Sequence, residues 1–179
     1  MATYKIIFTG PVGSGKTTAV GTLSDITPVK TDCMATDMTG LRKAETTVAM
    51  DYGRVNLSEG VAVHLYGTPG QERFDFMWEI LVGGGIGLVL LIDNTRSDPF
   101  VDLRFFINAF GKFIAETGLA IGVSKTDLVP TPGIADYHRE LSALGLKSVP
   151  VFEVDTRKRK DVSLLVEALL CSLEPMSGA

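Results

Sequence analysis

Cysteine is scarce in this sequence, since only Cys33 and Cys171 occur among its 179 residues. Because the two lie far apart and lack the spacing of metal ligands, we expect reduced thiols and neither a disulfide framework nor a zinc site. Long hydrophobic runs are also missing. The longest uncharged apolar stretch covers residues 80–92, which are 13 positions with four glycines. It is too short to cross a bilayer and predicts a buried strand, so we expect no integral membrane segment.

The sequence has no excess of positive charge. Its formal net charge is −4, which gives no electrostatic basis for nucleic-acid binding. The first residues contain no basic region, apolar helix or cleavage site, so no secretory signal is expected and the predicted location is cytoplasmic. With 45% hydrophobic residues, the length suits one domain over residues 1–179.

A glycine-rich segment follows the apolar run Tyr4–Thr9. Residues 10–17, the phosphate loop, read Gly-Pro-Val-Gly-Ser-Gly-Lys-Thr and match the pattern G-x-x-x-x-G-K-[ST] between a strand and a helix. Backbone N–H groups of such a loop surround a phosphate, and the helix behind it points its positive end at the same anion. Lys16 would reach the β- and γ-phosphate oxygens, and Thr17 would offer its hydroxyl to Mg²⁺. The segment therefore predicts binding of a nucleoside triphosphate, by Gly10, Val12, Gly13, Ser14, Gly15, Lys16, Thr17 and Thr18.

Strand and helix patterns alternate along the rest of the chain. Strands are predicted at 4–9, 48–57, 61–66, 86–92, 119–123 and 149–154. Helices are predicted at 16–24, 71–81, from Asp98-Pro99 through Phe113, at 133–144, and at 161–173 with Asp161 as N-cap. Residues 29–45 show no periodicity and are interpreted as a long functional loop. The alternation predicts a mostly parallel sheet that binds its ligand at the carboxyl ends of the strands.

Three later segments indicate which triphosphate protein this is. Thr46-Thr47 precede a strand, where a hydroxyl could complete the Mg²⁺ shell. Residues 67–74 read Gly-Thr-Pro-Gly-Gln-Glu-Arg-Phe, a flexible turn followed by an amide that could orient water. Residues 123–127 read Val-Ser-Lys-Thr-Asp and place a carboxylate where it could accept both N–H groups of guanine.

With these segments the chain resembles a Ras-like small GTPase from Tyr4 to about Leu173. The resemblance implies a three-layer α/β P-loop fold with a mostly parallel six-stranded sheet, helices on both faces, and GTP or GDP with Mg²⁺ as ligands. It further implies that Thr47 is the switch I threonine and a second metal ligand beside Thr17. Gly70 would bind the γ-phosphate through its N–H, and Gln71 would position the attacking water.

By the same resemblance, Lys125 would lie along the base and Asp127 would recognise guanine. Ser124 precedes them in that motif, and the loop Asp155-Thr156-Arg157 sits where the family contacts the guanine oxygen through backbone N–H groups. The segment Leu65–Gln71 is similar to bacterial Ras-like proteins of the mutual-gliding polarity group.

Three positions depart from the family pattern. Gly67 stands where most members have an aspartate that holds Mg²⁺ through water, so the metal shell must be completed differently. Ser124 replaces an asparagine whose amide braces the phosphate loop and contacts the base. Val12 places a branched side chain near the space that water and Gln71 need, so slow hydrolysis is expected.

The expected function is a molecular switch that binds protein regulators through segments 29–47 and 67–81, with a roadblock-type partner implied by the resemblance. Two other classes stay open. One is a regulatory module that binds nucleotide without hydrolysing it. The other is a P-loop small-molecule kinase, which would need an acceptor pocket and an arginine-rich lid that the sequence does not show.

Overall fold

The alternation of strands and helices is present in the computed structural model, which describes residues 2–35, 46–58, 60–69 and 75–173. The strands in these ranges are β1 (Ala2–Thr9), β2 (Val29–Ala35), β3 (Thr46–Ser58), β4 (Val61–Gly67), β5 (Gly87–Asp93), β6 (Leu119–Ser124) and β7 (Val151–Val154). The helices are α1 (Lys16–Leu23), α2 (Asp75–Val82), α3 (Pro99–Ala109), α4 (Gly111–Glu116), α5 (Ile134–Ala143) and α6 (Arg159–Leu173). All six predicted strands are therefore found, with shifted ends.

The strands form one sheet in the order β2-β3-β4-β1-β5-β6-β7. The five strands from β4 to β7 in this order pair in parallel, whereas β3 pairs antiparallel with both β2 and β4. The predicted α/β class with a mostly parallel sheet is confirmed. Since β1 lies between β4 and β5, the loop after β1 opens at the point where the strand order reverses, which is the usual ligand crevice of such sheets.

Strand β2 is a correction to the sequence interpretation, which treated residues 29–45 as loop. Val29–Ala35 pairs with β3 along its whole length, from Val29 opposite Tyr52 to Ala35 opposite Thr46. An edge strand takes its backbone hydrogen bonds from its neighbour, so it needs no alternating apolar pattern of its own. It adds a seventh strand to the six expected, and residues 36–45 lie outside the described ranges.

Two helix boundaries also differ from the prediction. The single helix expected from Asp98 to Phe113 is divided at Phe110, where Gly111, a poor helix former, begins α4. The start of α3 is as predicted, because the Asp98 carboxylate accepts a hydrogen bond from the Phe100 N–H. Helix α6 begins at Arg159, so Asp161 lies in its first turn and is not the N-cap.

Two apolar clusters cover the two faces of the sheet. On one face, α1 and α6 pack over Phe8, Leu65 and Leu91. On the other face, α2, α3 and α5 pack over Ile7 and Leu90. Burying each such side chain contributes about 1.5–3 kcal/mol. The two clusters fix the central strands, whose carboxyl ends carry the loops described next.

None of the helices in ranges 2–35, 46–58, 60–69 and 75–173 is long and apolar enough to cross a bilayer.

Candidate functional site

The phosphate loop connects β1 to α1, and two of its glycines are required by their surroundings. Gly10 has φ 144° and Gly15 has φ 101°, conformations that L side chains rarely adopt. A Cβ at Gly10 would lie 2.1 Å from the Leu91 carbonyl oxygen, and one at Gly15 would lie 2.7 Å from Thr156 Oγ1. The loop therefore rests directly on β5 and on the loop that contains Thr156.

Lys16 is the buried cation of this loop. Its Nζ donates hydrogen bonds of 2.7 Å each to the carbonyl oxygens of Gly10 and Pro11, and the residue is only 8% exposed. Burial lowers the pKa of the Lys16 ammonium from 10.5 to about 8, although the Asp51 carboxylate opposes this shift. A phosphate bound in the loop would supply the negative charge that this site favours.

Two serines link the phosphate loop to the end of β6. Ser124 Oγ lies 3.0 Å from the Ser14 carbonyl oxygen and 3.1 Å from that of Ile92, and donates to them. The asparagine amide expected to brace the phosphate loop is absent at this position, and the Ser124 hydroxyl makes a brace of its own. Ser14 is fully buried, and its Oγ has no hydrogen-bond partner among the described residues.

The hydroxyl of Thr17 lies at the start of α1 and contacts an acidic residue of β3. Thr17 Oγ1 donates a hydrogen bond of 2.5 Å to Asp51 Oδ2. Asp51 faces Gly67 across the β3–β4 ladder. A Cβ at Gly67 would lie 3.1 Å from Asp51 Cβ and 3.3 Å from its Oδ2. The Asp51 carboxylate therefore occupies the space in front of Gly67, and the sequence interpretation gave it no role.

These oxygens fit a magnesium ion held jointly with a nucleotide. Mg²⁺ prefers oxygen ligands and usually takes one or two from the protein, with phosphate oxygens and waters completing its shell. Thr17 and Asp51 provide a hydroxyl and a carboxylate oxygen beside the phosphate loop. Across the described ranges no group of three His, Cys, Asp or Glu side chains could hold a metal ion alone. The site is thus suited to a metal that arrives with phosphate.

The structure places Thr47 inside β3, whereas the sequence predicted it just before that strand. Its backbone pairs with Met34, and four residues of strand, roughly 13 Å, separate it from Asp51. The side chain of Thr47 lies outside the described part, as do Gly70 and Gln71 entirely. Their roles at the metal, the γ-phosphate and the attacking water stay predictions.

Lys125 is held in place by Asp93. Lys125 has a positive φ of 62°, and its Nζ donates a 2.6 Å hydrogen bond to Asp93 Oδ2. The other oxygen of Asp93 accepts hydrogen bonds from the N–H and hydroxyl of Thr95. Burial raises the pKa of Asp93, but the hydrogen bonds from Lys125 and Thr95 outweigh it and leave that pKa lowered.

The loop after β7 lies beside the loop that carries Asp127. Asp155 accepts hydrogen bonds from the backbone N–H, Nε and Nη2 of Arg157, which lowers the pKa of Asp155 to about 2. The pKa of Arg157 is raised, mainly by Asp155 and further by the charge of Asp127. Asp155 N–H donates to Asp161 Oδ2. Of the three N–H groups expected to meet the base, that of Thr156 alone has no partner among the described residues.

A buried amide fixes the segment behind Asp127. Asn94 is fully buried, and its Nδ2 donates to the carbonyl oxygens of Val129, at 2.7 Å, and Pro132, at 3.1 Å. Its Oδ1 accepts a 2.8 Å hydrogen bond from the Tyr137 hydroxyl. No sequence pattern marks Asn94, because its partners come from a loop and helix more than 30 positions away.

A cleft of about 700 Å³ lies on the opposite face of the sheet from Lys16, lined by residues of α2, α3 and α4 that include Trp78 and Phe113. It shares no residue with the phosphate loop or with residues 123–127 and 155–157, the two segments predicted to contact the base and called the base loops below. The cleft is therefore separate from the predicted nucleotide site.

Comparison with known proteins shows the family and the fold. A family model described as "Conserved hypothetical ATP binding protein" matches residues 29–177. The G domain of the T. maritima FeoB iron transporter superposes with a TM-score of 0.67, 15% sequence identity, and coverage of 94% of this chain and 98% of that one. The fold is therefore that of a P-loop GTPase G domain.

Sequence relatives cover smaller parts. An uncharacterized protein of Methanocaldococcus jannaschii is 36% identical over 50 residues, 28% of this chain and 32% of that protein. Rab-27A of Sus scrofa is 26% identical over 123 residues, 66% of this chain and 54% of its own length. Rab-44 of Mus musculus is 29% identical over 108 residues, 59% of this chain and 10% of its own length. The chain thus spans at most 54% of the length of these relatives. The narrower resemblance to the mutual-gliding polarity group stays a prediction.

Proposed function

We propose that this chain, which belongs to the family described as conserved hypothetical ATP binding proteins, is a guanine-nucleotide switch that slowly hydrolyses GTP to GDP and phosphate. One observation carries the proposal: the phosphate loop and the predicted base loops converge at one edge of the sheet. Gly15 rests on Thr156, and Ser124 reaches the Ser14 carbonyl. One nucleotide can therefore contact both sets of loops.

The choice of guanine is supported by Asp127. Its carboxylate can accept the two N–H groups on one edge of guanine, whereas adenine presents a ring acceptor there and would be repelled. The family description names ATP, and the matched range, 29–177, begins after the phosphate loop but includes Asp127. The side-chain chemistry therefore favours guanine over the base named in that description.

Hydrolysis would depend on positioning and charge, as phosphoryl transfer generally does. Lys16 would stabilise the negative charge that develops on the phosphate oxygens, and Gln71 would orient the attacking water. When bound, Mg²⁺ would neutralise part of the charge on the β- and γ-phosphates. Val12 is 60% exposed on the phosphate loop, and its branched side chain would narrow the space that the attacking water needs. An intrinsic rate on the order of 10⁻⁴ s⁻¹ is expected.

Switching would follow from the γ-phosphate. Segments 29–47 and 67–81 would take one arrangement with GTP and another with GDP, and would present the surface for regulators, including a roadblock-type partner. Support comes from Gly67, which begins the second segment, and from Asp51, which follows the first segment by four residues. Gly67 and Asp51 lie opposite each other, and Asp51 contacts Thr17 at the start of α1.

The test measures dissociation constants for GDP, GTP, ATP and xanthosine triphosphate, together with phosphate release from GTP. We expect guanine nucleotides to bind at least about 100-fold more tightly than ATP, which corresponds to about 2.7 kcal/mol. Asp127→Asn is expected to shift preference from guanine to xanthine. Glu167→Gln, on the exposed side of α6, is the matched control and should leave the preference unchanged.

Each alternative has its own outcome. Preferential ATP binding, or an unchanged preference in Asp127→Asn, would contradict the guanine assignment. Bound GTP without phosphate release would favour the regulatory module, for which the exposed Val12 is the supporting observation. ATP binding with phosphorylation of an acceptor would favour the kinase.

A further inference from the structure

The metal site of the proposed GTPase lacks an acidic residue at the end of β4. Position 67 is glycine and cannot hold a metal-bound water. A divalent ion between Thr17 and the phosphates would still gain from a protein carboxylate, because it carries two positive charges in a partly buried site. Among the described residues, the carboxylate that contacts Thr17 belongs to Asp51, on the neighbouring strand.

We propose that Asp51 is the acidic residue of the magnesium site and replaces, from β3, the carboxylate that position 67 lacks. The inference rests on the proposed nucleotide function. Asp51 and Gly67 face each other in the antiparallel ladder, so their side-chain positions lie on the same face of the sheet. That is the face covered by α1, whose first turn contains Thr17.

The two positions compete for one space. A Cβ at Gly67 would lie 3.3 Å from Asp51 Oδ2 and 3.1 Å from Asp51 Cβ, closer than most real Cβ contacts. The two positions therefore cannot both carry a carboxylate unless one side chain displaces the other. Glycine at 67 and aspartate at 51 form a matched pair. The carboxylate comes from β3 instead of β4, but it lies in the same place.

The hydrogen bond to Thr17 has the direction that metal binding requires. Thr17 Oγ1 donates its proton to Asp51 Oδ2 at 2.5 Å. A hydroxyl has one proton and two lone pairs, so the lone pairs of Thr17 stay available for a cation. A carboxylate that orients a metal ligand in this way commonly changes metal affinity 10–100-fold when it is removed. Asp51 also lies near enough to Lys16 for its charge to influence that ammonium group.

The experiment measures the affinity of fluorescent GDP as a function of free Mg²⁺, with EDTA as the metal-free limit. For Asp51→Asn we expect the Mg²⁺ concentration at half effect to rise at least about tenfold. In EDTA the same variant should bind GDP as tightly as the unaltered protein or more tightly, because a carboxylate that repels the phosphates is gone. Mn²⁺ bound per GDP complex, counted by electron paramagnetic resonance, should fall in parallel.

A reciprocal exchange provides the rescue. Asp51→Gly combined with Gly67→Asp returns one carboxylate to the same space, and should restore the Mg²⁺ midpoint to within about threefold. Asp25→Asn is the matched control. Asp25 also bonds β3, through the Asn56 N–H, but lies at the other end of α1, so this variant should leave the midpoint unchanged.

Three results would overturn the inference or the function on which it rests. An Asp51→Asn midpoint equal to that of the unaltered protein would overturn the inference alone. So would an equal loss of GDP affinity with and without metal, because that indicates a purely structural contact. Absence of guanine-nucleotide binding by the unaltered protein in either buffer would overturn the proposed function, and this inference with it.

Discussion

Lys16 carries its charge where water is largely excluded, and burial of this charge destabilises the folded protein. Its ammonium is held by two backbone carbonyls, which provide only partial charges. The pKa falls from 10.5 to about 8 because burial disfavours the charged form. At neutral pH the group is still protonated, so the folded protein without nucleotide bears an electrostatic penalty of up to about 3 kcal/mol. A bound triphosphate would remove that penalty.

The stability of the nucleotide-free protein should depend on pH through Lys16. Between pH 8 and 10.5, Lys16 loses its proton in the folded chain but keeps it in the unfolded chain. The unfolded state then binds more protons, so the free energy of unfolding rises with pH over this window. Relative to Lys16→Met, the unaltered protein should gain up to about 3 kcal/mol from pH 8 to 10.5.

Urea unfolding of both nucleotide-free proteins from pH 8 to 10.5 measures the difference between their free energies of unfolding. Tyrosine titration contributes equally to both proteins and cancels in this difference. Lys147→Met, at an exposed lysine, is the control and should show no comparable trend. A difference between the unaltered protein and Lys16→Met that is flat from pH 8 to 10.5 would contradict the buried charge.

At the scale of elements, α1 packs directly against β3 at Gly53. Gly53 allows this approach, because a Cβ there would lie 2.9 Å from Ser24 Cβ and 3.0 Å from Val20 Cγ1. Gly53 is two residues beyond Asp51 on the same face of β3. The absence of a methyl group at Gly53 therefore lets the helix that carries Thr17 approach the strand that carries Asp51.

Gly53→Ala is expected to separate α1 from β3 and to destabilise the protein by about 1–3 kcal/mol, the usual cost of overpacking. Chemical denaturation measures the change. Gly111→Ala is the matched control, since the Cβ would meet nothing within 4 Å and alanine favours a helix. That variant should be neutral or more stable by up to about 1 kcal/mol. Equal stability of Gly53→Ala and the unaltered protein would contradict this prediction, because it would show that α1 can move away from β3 without loss of stability.

The sequence allowed the central elements and the phosphate loop to be predicted because their signals are local. The run Gly87–Ile92 is apolar without interruption, as a strand covered on both faces must be. Strand β2 could not be predicted, since its pairing comes from β3 and not from its own pattern. The contact between Thr17 and Asp51 was missed for a related reason: it depends on the register of two strands, which periodicity does not determine.

At the scale of the whole molecule, nucleotide binding should couple to global stability. The site joins loops from β1, β6 and β7, so a ligand that bridges them binds the folded chain only. Such a ligand at 100 times its dissociation constant adds about 2.7 kcal/mol to the free energy of unfolding. Both apolar clusters contribute to these strands, so a single cooperative transition should report the gain.

We therefore expect GDP with Mg²⁺ to raise the melting temperature, and ATP at the same concentration to raise it much less. Differential scanning calorimetry provides the measurement. In Lys16→Met the GDP effect should disappear, because the phosphate contact is lost. A larger shift with ATP than with GDP would contradict the base assignment, and an undiminished GDP shift in Lys16→Met would contradict the phosphate contact.

The β3–β4 ladder contains a register shift between Asn56 and Ser58, where Ser58 faces Val61 but Asn56 faces Ala62. In an uninterrupted hairpin, Tyr52 would stand opposite Gly67 and Asp51 would project from the other side of the sheet. One surplus residue, roughly 20 Å from the proposed nucleotide site, thus decides whether an acid or a phenol ring faces Gly67 beside Thr17. The length of the β3–β4 hairpin, far from the proposed site, is therefore constrained as strictly as the identity of the site residues.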